Sequence, residues 1–155
     1  MYVKLKKCEL FQNSVSFLGH RLSSDGLSVE EDKVKCIREW PLPKNVRAIQ
    51  SFTGTCSYYR KFIKNFSQIA SPLNELLKKD VEWHWNNEQQ NAFDSLKKAL
   101  SSAPVLMMPN YNKCFTITSD ASKSGVGGVL TQFDDNGRER PITYYSRKLN
   151  TRQRN

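Results

Sequence analysis

The chain has 155 residues, of which 38% are hydrophobic and 25% are charged. This balance is typical of folded globular proteins and excludes a long disordered or fibrous chain. No apolar run approaches the ~20 residues that a membrane-spanning helix needs, and the stretch MYVKLKKCELF lacks the apolar core of a secretory signal. We therefore expect an intracellular protein with no membrane segment.

The formal net charge is +9, with +6 in residues 1–80 and +3 in residues 81–155. A basic excess of this size suits a polyanionic partner, most simply a nucleic acid. A basic soluble protein without such a partner has the same composition, so charge alone leaves both interpretations open.

Four cysteines are spread along the chain: Cys8, Cys36, Cys56 and Cys114. None belongs to a C-x-x-C pair, and neither histidine lies at the spacing of a zinc ligand from them. We therefore expect no zinc site and interpret the cysteines as reduced thiols.

A β-hairpin is predicted at the start of the chain. Residues 7–22, KCELFQNSVSFLGHRL, carry a turn signal at Asn13-Ser14. Apolar and polar residues alternate after that turn, which is typical of a strand with one buried face.

The first predicted helix follows a turn at Asp25-Gly26. Ser28 and Glu31 have the spacing of a capping box, in which each side chain satisfies a free backbone N–H group of the other residue. This spacing predicts a helix that runs to about Trp40 and is ended by the prolines that follow.

The second predicted helix, within KNVRAIQSFTGTCSYYRKFIKNF, has two distinct faces. One face is apolar and predicted to be buried: Ile49, Phe52, Cys56, Tyr59, Phe62 and Ile63. The other carries Gln50, Gly54 and Tyr58 at intervals of four residues. Because glycine within a helix costs about 1 kcal/mol relative to alanine, we expect something to approach Gly54 closely, with another helix as the simplest candidate.

Two more helices and a change of period complete the pattern. A third helix is predicted over 67–79, and Asn86 with Gln89 marks the start of a fourth that stops before Pro104. The period then becomes two, which predicts three strands, the last two joined by the turn DDNG. The predicted fold class is therefore α+β.

Asp120 ends the first of these strands, and the next strand contains Gly125, Gly127 and Gly128. A carboxylate beside a glycine-opened strand suits a divalent metal and a nucleic-acid backbone. An aspartate at the end of a strand is more often a turn residue, so these residues alone leave both interpretations open.

The other candidate metal ligands are Asp134, Asp135 and Glu139. All three lie in or beside the DDNG turn, at the far end of the second strand from Asp120. Since a strand rises ~3.3 Å per residue, this separation exceeds what one metal site can bridge. Asp120 therefore has no predicted carboxylate partner in the chain.

Long segments of the chain closely resemble successive parts of the Pol polyproteins of gypsy-type LTR retrotransposons. The start of the RNase H domain resembles FTITSDASKSGVGGVLTQ and GRERPITYYSRKLNTRQRN. The end of the reverse transcriptase palm and the thumb resemble the segment from SFLGHRLSSDGLSVEE to NFSQIASPLNELLKK. The join between them resembles VEWHWNNEQQNAFDSLKKALSSAPVL.

The resemblance implies an α+β fold in four parts. These are a palm-end β-hairpin, a helical thumb of about three helices, a connector helix and the three-stranded antiparallel start of an RNase H-like domain. The implied divisions are 1–26 for the end of the palm, 27–80 for the thumb, and 81–155 for the connector helix with a truncated RNase H-like domain.

The resemblance also implies roles for individual residues. The primer-grip hairpin, which positions the primer end, matches Phe17, Leu18, Gly19 and His20. The thumb-helix face that tracks the minor groove of the template–primer duplex matches Gln50, Gly54 and Tyr58. A duplex would then make the close approach that is expected at Gly54.

Residues 44–64 contain no acid. Their basic residues, predicted to contact phosphates without sequence preference, include Arg60, Lys61 and Lys64. By the resemblance, Asp120 matches the first metal-binding carboxylate of RNase H, a catalytic residue that helps to hold Mg²⁺.

The implied function is a piece of a reverse transcriptase and RNase H, which polymerises DNA on RNA and hydrolyses RNA–DNA hybrids within the full polyprotein. The implied partners are an RNA–DNA hybrid or duplex and the rest of the Pol polyprotein, in a cytoplasmic particle or in the nucleus. The polymerase motif Tyr-x-Asp-Asp is absent, and the other RNase H acids are expected beyond Asn155, so we expect no activity from this chain alone. A non-catalytic nucleic-acid-binding remnant or host-adopted module is the alternative, and a small protein that makes contacts through exposed sheet edges is a third.

Overall fold

The computed structural model describes residue 8 and residues 10–122, 125–150 and 153. Within these ranges the chain forms two three-stranded antiparallel sheets with helices between them, which confirms the predicted α+β class. The first sheet consists of β1 (Ser14–Phe17), β2 (His20–Ser23) and β3 (Gly26–Val29). The second consists of β4 (Thr116–Ala121), β5 (Gly125–Phe133) and β6 (Glu139–Lys148).

Five α-helices connect the sheets within the described ranges: α1 (Glu31–Arg38), α2 (Val46–Tyr58), α3 (Phe66–Ile69), α4 (Ser71–Glu75) and α5 (Asn87–Ser101). A short 3-10 helix, Arg60–Phe62, follows α2. None of these helices is long and apolar enough to cross a membrane. The outermost parts of the implied palm and RNase H-like units, 1–7, 9, 151–152 and 154–155, lie outside the described residues.

The first hairpin turns at Leu18-Gly19, so the turn predicted at Asn13-Ser14 is wrong. Ser14 already lies in β1. Both turn residues adopt left-handed backbone angles, with φ +50° for Leu18 and φ +74° for Gly19. Two positive φ angles give a two-residue turn the twist that paired strands require, and glycine adopts this conformation far more readily than leucine.

A third strand replaces the start of the predicted first helix. Ser28 lies in β3, where its hydroxyl group donates to the carbonyl of Arg21, and α1 begins at Glu31 without a side-chain cap. The predicted capping box is therefore wrong. The strand is extended because Leu27 exchanges two backbone hydrogen bonds of 2.8 Å with Leu106, which is far along the chain.

The apolar stripe of α2 is buried as predicted and forms the centre of the core. Ile49, Phe52 and Cys56 have 0% exposed surface. The ring of Phe52 packs against Phe93 of α5 with 4.5 Å between centroids, and Trp85 packs against Phe93 as well. Burial raises the pKa of the Cys56 thiol to about 12, which fits a structural thiol.

Helix α5 begins as predicted, with Asn86 and Gln89 forming a reciprocal capping box. The helix predicted over 67–79 is instead divided into α3 and α4. Pro72 lies in the first turn of α4, where its missing N–H group is tolerated. The division therefore follows from where a proline fits best in a helix.

The second sheet docks on the helices through Ser146 of β6. The backbone N–H group of Ser67 donates to the Ser146 hydroxyl at 2.9 Å, and the Ser67 hydroxyl donates to the Ser146 carbonyl at 2.8 Å. The guanidinium group of Arg60 donates to the same carbonyl. The residues of the hydrophobic core form one buried cluster, with members from Val29 to Leu106. The divisions at 26 and 80 that the resemblance implies stay predictions.

His20 joins the first sheet to the end of α2. Its side chain is buried, and its ring lies 5.3–5.7 Å from the ring centroids of Tyr58, Tyr59 and Phe62. The Nδ1 atom is 3.0 Å from the Leu18 carbonyl, so Nδ1 carries the proton of the neutral ring. Among the described residues, Nε2 has no hydrogen-bond partner.

The backbone contact beside Gly26 should make that residue hard to replace. Gly26 has φ +129°, and an added Cβ atom would lie 2.1 Å from the Leu106 carbonyl oxygen. We expect Gly26→Ala to lower the free energy of unfolding by about 2 kcal/mol or more, because it adds a clash to backbone strain. Urea unfolding measures this. The control is Gly137→Ala, which has φ +72° but open space around it and should cost only about 1 kcal/mol; equal losses would contradict the contact.

Burial of His20 predicts a pH-dependent stability. Burial, and then the charge of Lys61, lower the pKa of His20 below its usual value of 6.5. Below that value the unfolded chain binds a proton that the folded chain does not, so the free energy of unfolding should be constant above about pH 6.5 and fall as the pH drops below it.

Unfolding between pH 5 and 8 measures this change in stability. His20→Asn should flatten the pH dependence, whereas His84→Asn, at an exposed position, should keep it. An unchanged slope in the His20 variant would contradict the role assigned to this ring.

Candidate nucleic-acid interface and Asp120 cavity

The face of α2 opposite the core is open. Gln50 and Gly54 are exposed, and Tyr58 is 53% exposed. Apart from the helix's own backbone and the two neighbouring residues, no atom of the described residues lies within 4 Å of the position that a Cβ atom on Gly54 would occupy. Another helix packed on Gly54, the simplest sequence expectation, is therefore wrong for the part of the chain that the structure describes.

A cavity of about 370 Å³ borders this face, between α2, the chain that follows it and β6. Gln50 and Gly54 line one side, with Arg60 and Lys148 among the residues on the others. The charge of Lys148 is shared with Glu75 of α4, at 2.6 Å, and this contact holds the pKa of Glu75 below its usual value. Lys148 was not among the predicted site residues, because only the fold brings β6 to α2.

The three predicted phosphate contacts have different surroundings. Arg60 and Lys64 are exposed, and the Arg60 guanidinium lies 5.5 Å from the ring centroid of Phe66. Lys61 is half-buried over the ring of Phe62, and burial lowers the pKa of its amine. Arg60 and Lys64 are consequently the more accessible cations for a phosphate.

The predicted primer-grip residues lie beside the end of α2. Phe17 and Leu18 are 62% and 69% exposed, whereas the ring of His20 is buried. The hydroxyl group of Tyr58 donates to the carbonyl of Leu18 at 2.8 Å. The structure thus brings the turn and the open face of α2 together, with His20 turned into the protein.

Asp120 lies in β4, opposite Gly127 of β5. All six residues of β4 are exposed. The side chain lines a cavity of about 180 Å³ together with Lys64 and Asn65. Within the described part of the chain, no hydrogen bond or ion pair engages this carboxylate, and the cavity leaves it open to solvent.

The glycine opposite Asp120 has a structural reason that the sequence did not reveal. A Cβ atom on Gly127 would lie 2.6 Å from Oδ1 of Asn65. Asn65 has φ +57°, a left-handed conformation that asparagine tolerates. The loop before α3 therefore closes over β5 and places Lys64 and Asn65 beside Asp120.

The other acids lie at the far end of β5, as predicted, since Glu139 pairs with Phe133. Asp134 accepts backbone hydrogen bonds from Arg138 and Asn136. These hydrogen bonds, together with the positive charge of Arg138, lower the pKa of the Asp134 carboxyl group. Asp135 pairs with Lys113. In the described ranges, no group of three or more His, Cys, Asp or Glu residues could hold a metal ion.

Solved structures share this fold. The foamy viral protease-reverse transcriptase in complex with double-stranded DNA matches 96% of this chain and 31% of its own length, with a TM-score of 0.80 and 23% identity. The same protein in complex with an RNA/DNA hybrid matches 96% of this chain and 20% of its own length, with a TM-score of 0.78 and 24% identity. At this identity the likeness concerns the fold.

Sequence comparison finds similar proteins for the whole chain. Residues 85–155 match the RNase H-like domain found in reverse transcriptase. The whole chain is 37% identical to the Transposon Tf2-3 and Tf2-4 polyproteins of Schizosaccharomyces pombe, and it spans 12% of their length. Over its whole length the chain is therefore similar to a segment of retrotransposon polyproteins, and its second part is similar to the RNase H-like domain found in reverse transcriptase.

Proposed function

We propose that this chain binds the template–primer duplex of a reverse transcriptase, either an RNA–DNA hybrid or double-stranded DNA, through the open face of α2. The observation that carries the proposal is the uncovered Gly54. It lies between Gln50 and Tyr58 on a helix whose other face is fully buried. A mid-helix glycine that supports no internal packing fits a surface where a large partner must come close.

The chemistry of this face suits a duplex. Gln50 offers both a donor and an acceptor to the minor-groove edges of bases. Arg60, which lines the same cavity as Gln50 and Gly54, and Lys64, which lies beside Asp120, supply exposed positive charge. Contacts to phosphates give affinity without sequence preference. A reverse transcriptase must bind every sequence that it copies, so recognition of duplex shape suits it better than recognition of bases.

The Leu18-Gly19 turn supplies the second contact in this proposal. Phe17 and Leu18 present exposed apolar side chains beside the end of α2. They would hold the primer end, while the backbone of Gly19 and the buried ring of His20 shape the turn. Lys61 is half-buried, so it would add positive charge to the surface but contact a phosphate less directly than Arg60 or Lys64.

Asp120 is proposed as one ligand of the Mg²⁺ that RNase H-like domains use. The described residues do not make up this metal site, because they place a single carboxylate at the cavity and RNase H chemistry needs several converging acids. The proposal is therefore limited to one ligand position. The remaining ligands would come from other parts of the Pol polyprotein, as would the aspartates of the polymerase.

The proposed organisation keeps the divisions implied by the resemblance. The end of the palm occupies 1–26, the thumb 27–80, and the connector helix with the RNase H-like unit 81–155. The partners are the duplex and the rest of the polyprotein, in a cytoplasmic particle or in the nucleus.

Two variants on the open face test the proposal. Gln50→Ala should weaken binding of a labelled RNA–DNA hybrid by roughly three- to tenfold, the equivalent of one hydrogen bond. Gly54→Ala should also weaken binding, although it should raise the free energy of unfolding by about 0.5–1 kcal/mol. Fluorescence anisotropy at several salt concentrations measures the affinity, and its log–log slope should correspond to a few phosphates at ~0.9 each.

The matched control is Ser51→Ala. Ser51 is exposed on the same helix, and its hydroxyl group donates to the carbonyl of Arg47, so its loss should leave binding unchanged. Equal losses for Ser51 and Gln50, or affinity that does not depend on salt, would rule out the proposed face.

A further inference from the structure

The carbonyl groups of the Leu18-Gly19 turn each accept two hydrogen bonds. The Leu18 carbonyl accepts from the Tyr58 hydroxyl at 2.8 Å and lies 3.0 Å from Nδ1 of His20. The Gly19 carbonyl accepts from the Tyr59 hydroxyl at 3.1 Å and from the backbone N–H group of Glu30 at 3.2 Å. One donor to each carbonyl comes from the region of the first sheet: His20 lies in β2, and Glu30 directly follows β3. The other donor is a tyrosine at the C-terminal end of α2.

The packing around the turn agrees with this arrangement. Tyr58 and Tyr59 meet edge to face, with 5.0 Å between ring centroids, and both contact the buried ring of His20. A Cβ atom on Gly19 would lie 2.6 Å from the Tyr59 oxygen. A side chain on residue 19 would therefore displace this hydroxyl group, and the left-handed φ angle favours glycine for a second reason.

His20 does not connect the turn to α2 by a hydrogen bond. Within the described part of the chain, this buried nitrogen has no hydrogen-bond partner. The ring contributes its Nδ1–H group to the turn and packs against the rings of Tyr58, Tyr59 and Phe62, but it makes no hydrogen bond to α2 within the described residues. The two tyrosine hydroxyl groups are thus the polar links between the turn and α2.

We propose that Tyr58 and Tyr59 are positioning residues, whose hydroxyl groups fix the Leu18-Gly19 turn to α2 so that the turn and the open helix face bind a duplex as one rigid surface. We call these two hydroxyl–carbonyl contacts the tyrosine latch. The proposal rests on the proposed function for its consequence in binding, but the latch itself is a property of the free chain. Tyr58 then has a role beyond presenting its exposed ring to the groove.

The first experiment tests the latch without nucleic acid. Tyr58→Phe combined with Tyr59→Phe removes both hydroxyl groups and keeps both rings. In the 155-residue chain, amide hydrogen exchange over residues 15–29 should become several-fold faster, while exchange in α5 stays unchanged. The control is Tyr111→Phe, since that tyrosine is 85% exposed and its hydroxyl group bonds to no residue in the described ranges. Unchanged exchange around the turn would overturn the latch.

The second experiment tests positioning through a double-mutant cycle on hybrid binding. Leu18→Ala should weaken binding about threefold in the wild-type background and hardly at all when both tyrosines are phenylalanine, because a loose turn no longer presents Leu18. Gln50→Ala should weaken binding in both backgrounds. A merely structural role for the tyrosines would lower the affinity but leave the effect of Leu18→Ala unchanged.

The outcomes separate the two proposals. If Gln50→Ala weakens binding while Leu18→Ala costs the same in both backgrounds, or nothing in either, the positioning role is overturned, but duplex binding by the open face of α2 stands. If neither variant weakens binding, the proposed function fails, and with it the positioning role. Hydrogen exchange still decides whether the latch exists.

Discussion

The burial of one face of α2 is the constraint on which the rest of the structure depends. Ile49, Phe52 and Cys56 lose all contact with solvent, and burying large apolar side chains contributes about 1.5–3 kcal/mol each. Because this face is fixed in the core, the orientation of the opposite face is fixed too. The open row that contains Gln50 and Gly54 is therefore a rigid surface and is not formed by a loop.

Polar contacts at the two ends of the helical region attach the sheets to this centre. Tyr58 and Tyr59 bind the turn of the first sheet. Beyond α2, Arg60 and Ser67 bind Ser146 of the second sheet. The proposed contacts with a nucleic acid and the cavity at Asp120 are thus positioned by one helix and the short segment that follows it.

Short sequence patterns predicted the elements whose structure depends mainly on neighbouring residues. The helical period revealed the buried stripe of α2, and Asn86 with Gln89 revealed the start of α5. The strand β3 was missed because its extension depends on Leu106, which no short window contains. The first turn was missed because Leu18 adopts a left-handed angle that its side chain disfavours.

The same distinction applies to the candidate site. The spacing of Gln50, Gly54 and Tyr58 placed them on one face, but only the fold showed that this face is uncovered. The place of Asp120 at a strand end left a turn residue and a metal ligand both possible, and only the family resemblance favoured the metal ligand. The residues that share its cavity, Lys64 and Asn65, come from a loop distant in sequence and could not be assigned to it.

Photo-cross-linking tests the central claim, that the open face of α2 receives the duplex, most directly. An RNA–DNA hybrid that carries photoreactive bases would be irradiated with the chain, and the attached peptides would be identified by mass spectrometry. The account predicts cross-links within residues 50–60 and at the Leu18-Gly19 turn. An excess of unlabelled hybrid should compete for the site and remove these cross-links. Cross-links confined to the exposed side of α5, with none on α2, would contradict it.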